Sequence, residues 1–327
     1  MGLSFQERSA RVKAISRELG FDACGIAPTG AGEGFDRYLR AMERGYGAEM
    51  GWLFENPNMR ADVREVWPEA RSVIVLATSY ADPTVPDSRQ VPPAEDEGWI
   101  ARYAQGRDYH LVIKKMLIAF ADRLSAEPGF EGIPSKDHRL FVDTGPVLEK
   151  TFAQLAGIGW IGKNSLVIRK RGGSYCFLAV ILTPLELAID TPHTDHCGSC
   201  TRCLDACPTD AFAAPYVLDA RKCISTWTIE SPDPAVVIDP ATIGQHVFGC
   251  DICQEVCPWN RRVEQTAHEV LRPRPENVRP KLDSLAGLSE EAFRARFSRS
   301  PVRRVKSAQM DATIAAIRSR RVGSTDD

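Results

Sequence analysis

Apolar residues fall along this chain in two rhythms. Phe5, Val12, Ile15 and Leu19 recur near the spacing of a helix whose other face is charged. Ser4 and Glu7 form a capping box at its start, and Gly20 stops it. Other stretches are short and continuous. Residues 72–80 (SVIVLATSY) and 176–182 (CFLAVIL) predict buried strands, and residues 139–143 (RLFVD) predict a shorter one. Helices are predicted over 110–124, stopped by Glu127-Pro128-Gly129, and over 147–156, entered through Gly145-Pro146. Prolines and polar residues between Asp82 and Gly98 predict a surface loop. Strands alternating with helices over the first 190 residues predict an α/β or α+β domain.

A chain of 327 residues is long enough for two compact domains. Its 41 basic and 43 acidic residues nearly cancel, which excludes a globally basic nucleic-acid binder but not a local basic face. No apolar run reaches the roughly 18 residues of a membrane span. The first twenty residues are amphipathic and charged, unlike a secretory leader, and carry no twin-arginine signal. The expected compartment is the cytoplasm and the expected state a monomer. Three segments are anticipated: an α/β domain over 1–190, a cysteine-rich module over 191–265 and a basic helical segment over 266–327. The last carries Arg294, Arg296, Arg299, Arg303, Arg304, Lys306, Arg318, Arg320 and Arg321. Such a run is either a solvated helical face or a contact surface for a phosphate backbone.

Ten cysteines are present, and eight of them lie between Cys197 and Cys257. In a reducing compartment that clustering points to metal rather than disulfides. Cys24 and Cys176 stand in apolar neighbourhoods and are expected to be small buried hydrophobes. Cys197-x2-Cys200-x2-Cys203-x3-Cys207-Pro208 is the full bacterial ferredoxin run. Cys250-x2-Cys253-x3-Cys257-Pro258 repeats it without the first cysteine, whose place is taken by Val247, and Cys223 makes up the deficit. Eight thiolates are what two 4Fe–4S clusters need. Crossing the fourth cysteine of each run assigns Cys197, Cys200, Cys203 and Cys257 to cluster one. Cys207, Cys223, Cys250 and Cys253 then hold cluster two. Structural zinc is the alternative for such a set, but it has no need of the third cysteine and the x3-Cys-Pro ending.

The preceding residues contain neither a GxGxxG dinucleotide fingerprint nor an Asp-x-His-x-x-Gly motif. Two glycine-rich segments, 157–165 and 172–174, are turns or places where a large planar cofactor approaches. Asp143 ends an apolar strand just before Thr144-Gly145-Pro146. It is either a carboxylate at a site on the sheet edge or the N-cap of the next helix.

These residues carry a resemblance. Ala101-Arg102-Tyr103-Ala104 with Asp108-Tyr109-His110, residues 142–149 (VDTGPVLE), residues 159–165 (GWIGKNS), both cysteine runs and Cys223-Ile224-Ser225-Thr226 resemble the epoxyqueuosine reductases. These are cobalamin-dependent iron–sulfur enzymes that complete queuosine in tRNA. The resemblance implies a nitroreductase-like cobalamin-binding domain, a two-cluster ferredoxin module and a cobalamin bound base-off between them. It implies a substrate tRNA with a queuosine-type anticodon (Tyr, His, Asn or Asp) and an external ferredoxin or flavodoxin as electron donor. Arg60, Tyr103, Lys163, Ser165, Ser225 and Asp251 stand at family positions that line the corrinoid or the substrate base. Asp143 resembles the family's catalytic acid. A free Asp has a pKa of ~3.9, so an acid half protonated at neutral pH needs burial to raise it by ~3 units. A corrinoid reductive dehalogenase and a plain iron–sulfur electron carrier are the alternatives.

Overall fold

The strand Ser72–Ser79 is buried at every position and lies inside a four-stranded sheet. The computed structural model describes residues 2–130, 132–233 and 239–319. Strand order is Ala23–Ala27, Ser72–Ser79, Cys176–Thr183, Arg139–Phe141, and every neighbouring pair is antiparallel. Register places Ile26, Ile74, Ile181 and Leu140 in one row across the sheet. At the alternate positions Val73, Val75, Ala77, Val180 and Leu182 share a core with Phe152 and Ala153 of helix Glu149–Leu155. Helices Phe5–Glu18 and Tyr109–Ser125 also pack on the sheet. A strand with cover on both faces has no polar side to display, which is why these segments read as unbroken apolar runs.

The antiparallel pairing selects α+β over α/β. Alternation of strands and helices along the chain does not set strand direction, and here the connections return each strand beside an oppositely directed neighbour. The N-terminal helix is capped as expected: Glu7 N–H donates to Ser4 Oγ at 3.3 Å and Ser4 N–H donates to Glu7 Oε2 at 2.8 Å. One glycine is dictated by packing. A Cβ on Gly25 would lie 2.0 Å from the carbonyl oxygen of Ala156, so only glycine lets the end of helix Glu149–Leu155 close on the edge strand.

Two units divide the chain. The first comprises Met1–Arg40, Phe54–Ser79 and Tyr109–Ser199, and the second Ala41–Leu53, Tyr80–Asp108 and Cys200–Asp327. They interleave along the sequence instead of following the anticipated segments 1–190, 191–265 and 266–327. The physical reason is the core of the second unit. It joins Ile100 and Ala104 to Ile224, Trp227, Val247 and Phe248, and then to Phe293, Phe297, Met310, Ile314 and Ile317. The C-terminal segment is therefore part of the core that supports the cysteine runs. Val247, at the place of the missing cysteine, is buried in the strand His246–Phe248, which pairs in parallel with Trp99–Ile100. Among the described residues no helix is long and apolar enough to cross a membrane.

Ile74 sits at the centre of the sheet with no exposure. Ile74→Ala should cost about 2–5 kcal/mol through lost transfer energy and a residual cavity. A fall of that size in urea-unfolding free energy, followed by circular dichroism, is the check.

Candidate active site and thiol cluster

In the first unit the strand Arg139–Phe141 stops two residues short of Asp143. Asp143 adopts φ +60, and Thr144 N–H donates back to the Val142 carbonyl at 2.7 Å. Helix Glu149–Leu155 begins after Leu148, so Asp143 is not its N-cap. The side chain is held by other partners. Tyr109 Oη donates to Asp143 Oδ2 at 2.8 Å, and His110 Nε2 lies 3.4 Å from the same oxygen. Tyr109 itself stacks on Phe177, with ring centroids 4.2 Å apart. Asp143 N–H donates to Glu149 Oε1 at 2.7 Å.

This network reverses the expected protonation. The Asp143 side chain is 60% exposed. The hydrogen bond from His110 holds its carboxyl below the usual range against the opposing effect of burial, and Tyr109 and Lys150 add to the lowering. Burial pushes Glu149 up to about 7, with the Asp143 charge pushing the same way. The carboxyl that titrates near neutral pH is Glu149, while Asp143 is held below the usual range. Glu149, Tyr109 and His110 stood in the sequence within segments that carry the resemblance, yet no spacing rule marks a carboxyl six residues after Asp143 as its electrostatic partner.

The glycine-rich segments are turns. Trp160–Ile161 pairs with Val167–Ile168, and Ser165 N–H donates to the Gly162 carbonyl at 2.8 Å across the connecting turn. Residues 172–174 lie in and beside a second turn, closed by paired backbone bonds between Arg169 and Gly173 at 3.0 and 3.2 Å. Ser165 adopts φ +61, and its Oγ is buried with no hydrogen-bond partner. Lys163 Nζ donates to the Gly198 carbonyl at 2.7 Å. Burial raises the Cys197 thiol, and the Lys163 backbone N–H pulls it the other way. Arg60 is buried, with its guanidinium 5.6 Å from the Tyr38 ring centroid. In the edge and inner strands, burial pushes Cys24 up to about 12 and raises Cys176, so neither is a thiolate at neutral pH.

The second unit holds the other seven clustered cysteines. Two matching short helices, Arg202–Asp205 and Ile252–Glu255, carry Cys203 and Cys253 and pack together. Burial raises the thiols of Cys223, Cys250 and Cys253, the last two well above the ordinary cysteine value. Like-charge repulsion adds to this. Cys207 acts on Cys223, Cys223 on Cys250, and Cys223, Cys203 and Cys207 on Cys253. Four thiolates on one zinc ion would lie about 3.8 Å apart. Among the described residues no three His, Cys, Asp or Glu side chains are gathered for a single ion. The thiols of Cys203, Cys207, Cys223, Cys250 and Cys253 share one electrostatic neighbourhood.

The remaining candidates serve these thiols or the fold. Ser225 offers its backbone N–H and its side chain to the Cys223 sulfur. Tyr103, in the short helix Arg102–Gln105, lies 6.2 Å from the Phe248 ring. Asp251 is 1% exposed and fully engaged. Its Oδ2 accepts from Arg102 N–H at 2.7 Å and Trp99 Nε1 at 3.2 Å, and its Oδ1 accepts from Gln254 Nε2 at 3.2 Å. The structure therefore turns the expected Asp251 cofactor contact inward, because three donors already hold both oxygens. Arg102 also reaches Glu255 at 3.4 Å, and Ser88 Oγ donates to Glu255 Oε2 at 2.5 Å. Of the basic C-terminal residues, Arg294 pairs with Glu290, Arg304 with Glu230 and Arg318 with Asp283. Arg299, Arg303 and Lys306 are exposed, while Arg320 and Arg321 lie outside the described residues.

The family model described as epoxyqueuosine reductase QueG, DUF1730, matches residues 60–144, and the 4Fe-4S double cluster binding domain matches residues 196–260. An epoxyqueuosine reductase of Synechocystis sp. is 42% identical over 88% of this chain and 96% of its own length. One of Pseudomonas aeruginosa is 42% identical over 90% of this chain and 80% of its own length. Among solved structures, epoxyqueuosine reductase from Streptococcus thermophilus superposes with a TM-score of 0.81 at 26% identity, covering 95% of this chain and 80% of its own. Another, in complex with a tRNA-Tyr epoxyqueuosine-modified stem loop, gives a TM-score of 0.81 at 28% identity over 94% of this chain and 80% of its own. Identity at this level along nearly the whole length means that the chain belongs to the epoxyqueuosine reductase family.

Proposed function

We propose that this protein reduces the epoxide of epoxyqueuosine in tRNA to the alkene of queuosine, consuming two electrons and two protons and releasing water. The observation that carries the reading is family membership along nearly the whole chain, together with a double-cluster module and an exposed Asp143 carboxylate held by Tyr109 and His110. Family membership sets aside the dehalogenase and the plain carrier.

Electrons enter from an external ferredoxin or flavodoxin. Cys197, Cys200, Cys203 and Cys257 hold one 4Fe–4S cluster, and Cys207, Cys223, Cys250 and Cys253 the other. The run spacing supports this assignment. A cobalamin on a nitroreductase-like first domain would supply the low-potential electrons for cleavage of the epoxide carbon–oxygen bond. The buried, unpartnered Ser165 hydroxyl fits an amide of that macrocycle, and Arg60, Tyr103 and Lys163 stand at the family's lining positions. Ser225 and Asp251 contribute indirectly, by holding Cys223 and the turn before Cys253.

The epoxide oxygen leaves poorly as an alkoxide, so a proton must accompany bond cleavage. In the free protein Asp143 is the anion and Glu149 the acid. Tyr109 and His110 orient the Asp143 carboxylate, whose exposed edge faces an incoming nucleoside. Covering that edge removes water and raises Asp143, so that a proton taken up there reaches the epoxide oxygen. The wobble nucleotide must be unstacked for this contact. Substrates are tRNAs for Tyr, His, Asn and Asp, whose backbone is met by Arg299, Arg303 and Lys306.

Asp143→Asn should retain iron and lose at least about 100-fold in turnover. Wild-type turnover should fall as pH rises through about 7, where Glu149 loses its proton, and Glu149→Gln should abolish that dependence together with most activity. Single-turnover rates on epoxyqueuosine-containing tRNA, read by nucleoside analysis, test both. Removing the charge at 143 should also lower the Glu149 pKa, since that charge helps to raise it, and 13C NMR of labelled glutamate carboxyls reports the shift. Arg303→Glu with Lys306→Glu should weaken tRNA binding and flatten its salt dependence by about two counterions, measured by titration at several salt concentrations.

A further inference from the structure

We infer that His110 is a proton relay, taking a proton from solvent and passing it from Nε2 to the Asp143 carboxylate, a role that rests on the reductase reading and adds to it the route by which Asp143 is loaded. Converting an epoxide to an alkene and water consumes two protons along with two electrons. One proton makes the ring oxygen a hydroxyl as the first carbon–oxygen bond breaks. The other leaves with that hydroxyl, as water, when the second bond breaks. A carboxyl holds one proton at a time, so an acid serving both steps must be reloaded between them.

Water cannot reload Asp143 directly once a nucleoside covers its exposed edge. The side chains that meet it on the protein side differ in what they can give. Tyr109 Oη donates to Oδ2 at 2.8 Å, but a phenol, with a pKa of about 10, is a weak acid at neutrality. Glu149 accepts from the Asp143 backbone N–H at 2.7 Å, and that N–H is not a path to the carboxyl oxygens. The two carboxyls act on each other through charge. His110 Nε2 lies 3.4 Å from Oδ2, and imidazole is the side chain that binds and releases protons near neutrality.

The ring is placed to exchange with bulk water as well. His110 stands in the first turn of helix Tyr109–Ser125, and its side chain is 36% exposed. It stacks on Tyr109 with ring centroids 4.1 Å apart, and Tyr109 stacks in turn on Phe177. That stack fixes the plane of the imidazole, with Nε2 towards the carboxylate and part of the ring in solvent. The positive end of the helix lies beside the ring, so handing the proton to Asp143 moves charge away from it. The transfer breaks the imidazolium Nε2–H bond and forms Oδ2–H. Solvent then returns a proton to the neutral ring, and no oxidation state changes.

His110→Gln separates relay from support, because the amide can donate to Asp143 as the imidazole does but cannot carry a proton. Single-turnover rates are measured on the reconstituted, reduced full-length protein with epoxyqueuosine-containing tRNA. Iron content and tRNA affinity should be unchanged, and turnover should be at least about tenfold slower. In His110→Ala, added imidazole should restore much of the lost rate in proportion to its protonated form, and the wild-type rate should not respond. Rescue is read within one protein, so it stands even where a substitution lowers stability. Without turnover, 15N NMR of histidine-labelled protein should show that Asp143→Asn lowers the pH at which His110 titrates. A wild-type rate in His110→Gln, a slow His110→Ala that imidazole leaves slow, or an unmoved His110 titration would overturn the inference. Wild-type protein that leaves epoxyqueuosine unreduced would bring down the reductase reading and the relay with it. Wild-type conversion with full speed in His110→Gln would remove the relay alone.

Discussion

Thiols crowded together in a low-dielectric interior resist ionisation, yet only thiolates ligate iron. Cys250 and Cys253 meet this conflict directly, since burial and their cysteine neighbours both drive their pKa upward. Without metal they are neutral side chains packed beside one another. A metal bound there would supply the positive charge that offsets the buried anions, which would make metal binding and local folding one equilibrium. The surrounding design serves that equilibrium. Asp251 pins the turn between Cys250 and Cys253 to Arg102 and Trp99, while Glu255 ties the loop at Ser88 to the helix that leads to Cys257.

A second electrostatic conflict is resolved differently in the first unit. Two carboxyls linked through a backbone N–H cannot both ionise freely, and their surroundings break the tie. Asp143 is exposed and held by a tyrosine hydroxyl and an imidazole, whereas Glu149 is half-buried beside the Asp143 charge. Unequal environments turn identical chemistry into a base and an acid. The left-handed turn at Asp143 makes the asymmetry possible, because it presents one carboxylate outward while directing the same residue's N–H at the other.

Much of the scaffold was legible in the sequence. Strands Ser72–Ser79 and Cys176–Thr183 and helix Tyr109–Ser125 lie within a residue or so of their apolar runs, because burial on one or both faces leaves a periodic trace. The ferredoxin spacing was equally plain. Strand direction was not, since it depends on connections that carry no period of their own. The place of the C-terminal segment was also hidden. Its arginines are conspicuous, but its structural role rests on Phe293, Phe297, Met310 and Ile314, whose core partners lie up to about 200 residues away. The proton's residence on Glu149 was illegible for a related reason: a pKa is set by neighbours in space, and His110 is 33 positions from Asp143.

The shared core of the second unit ties the far end of the polypeptide to its inorganic chemistry. Cys250 packs against the same apolar cluster that receives Met310, Ile314 and Ile317. The helix Ser307–Ser319 therefore shares its packing with the turn that carries Cys250, so the end of the chain and the second cysteine run are buried by one apolar cluster.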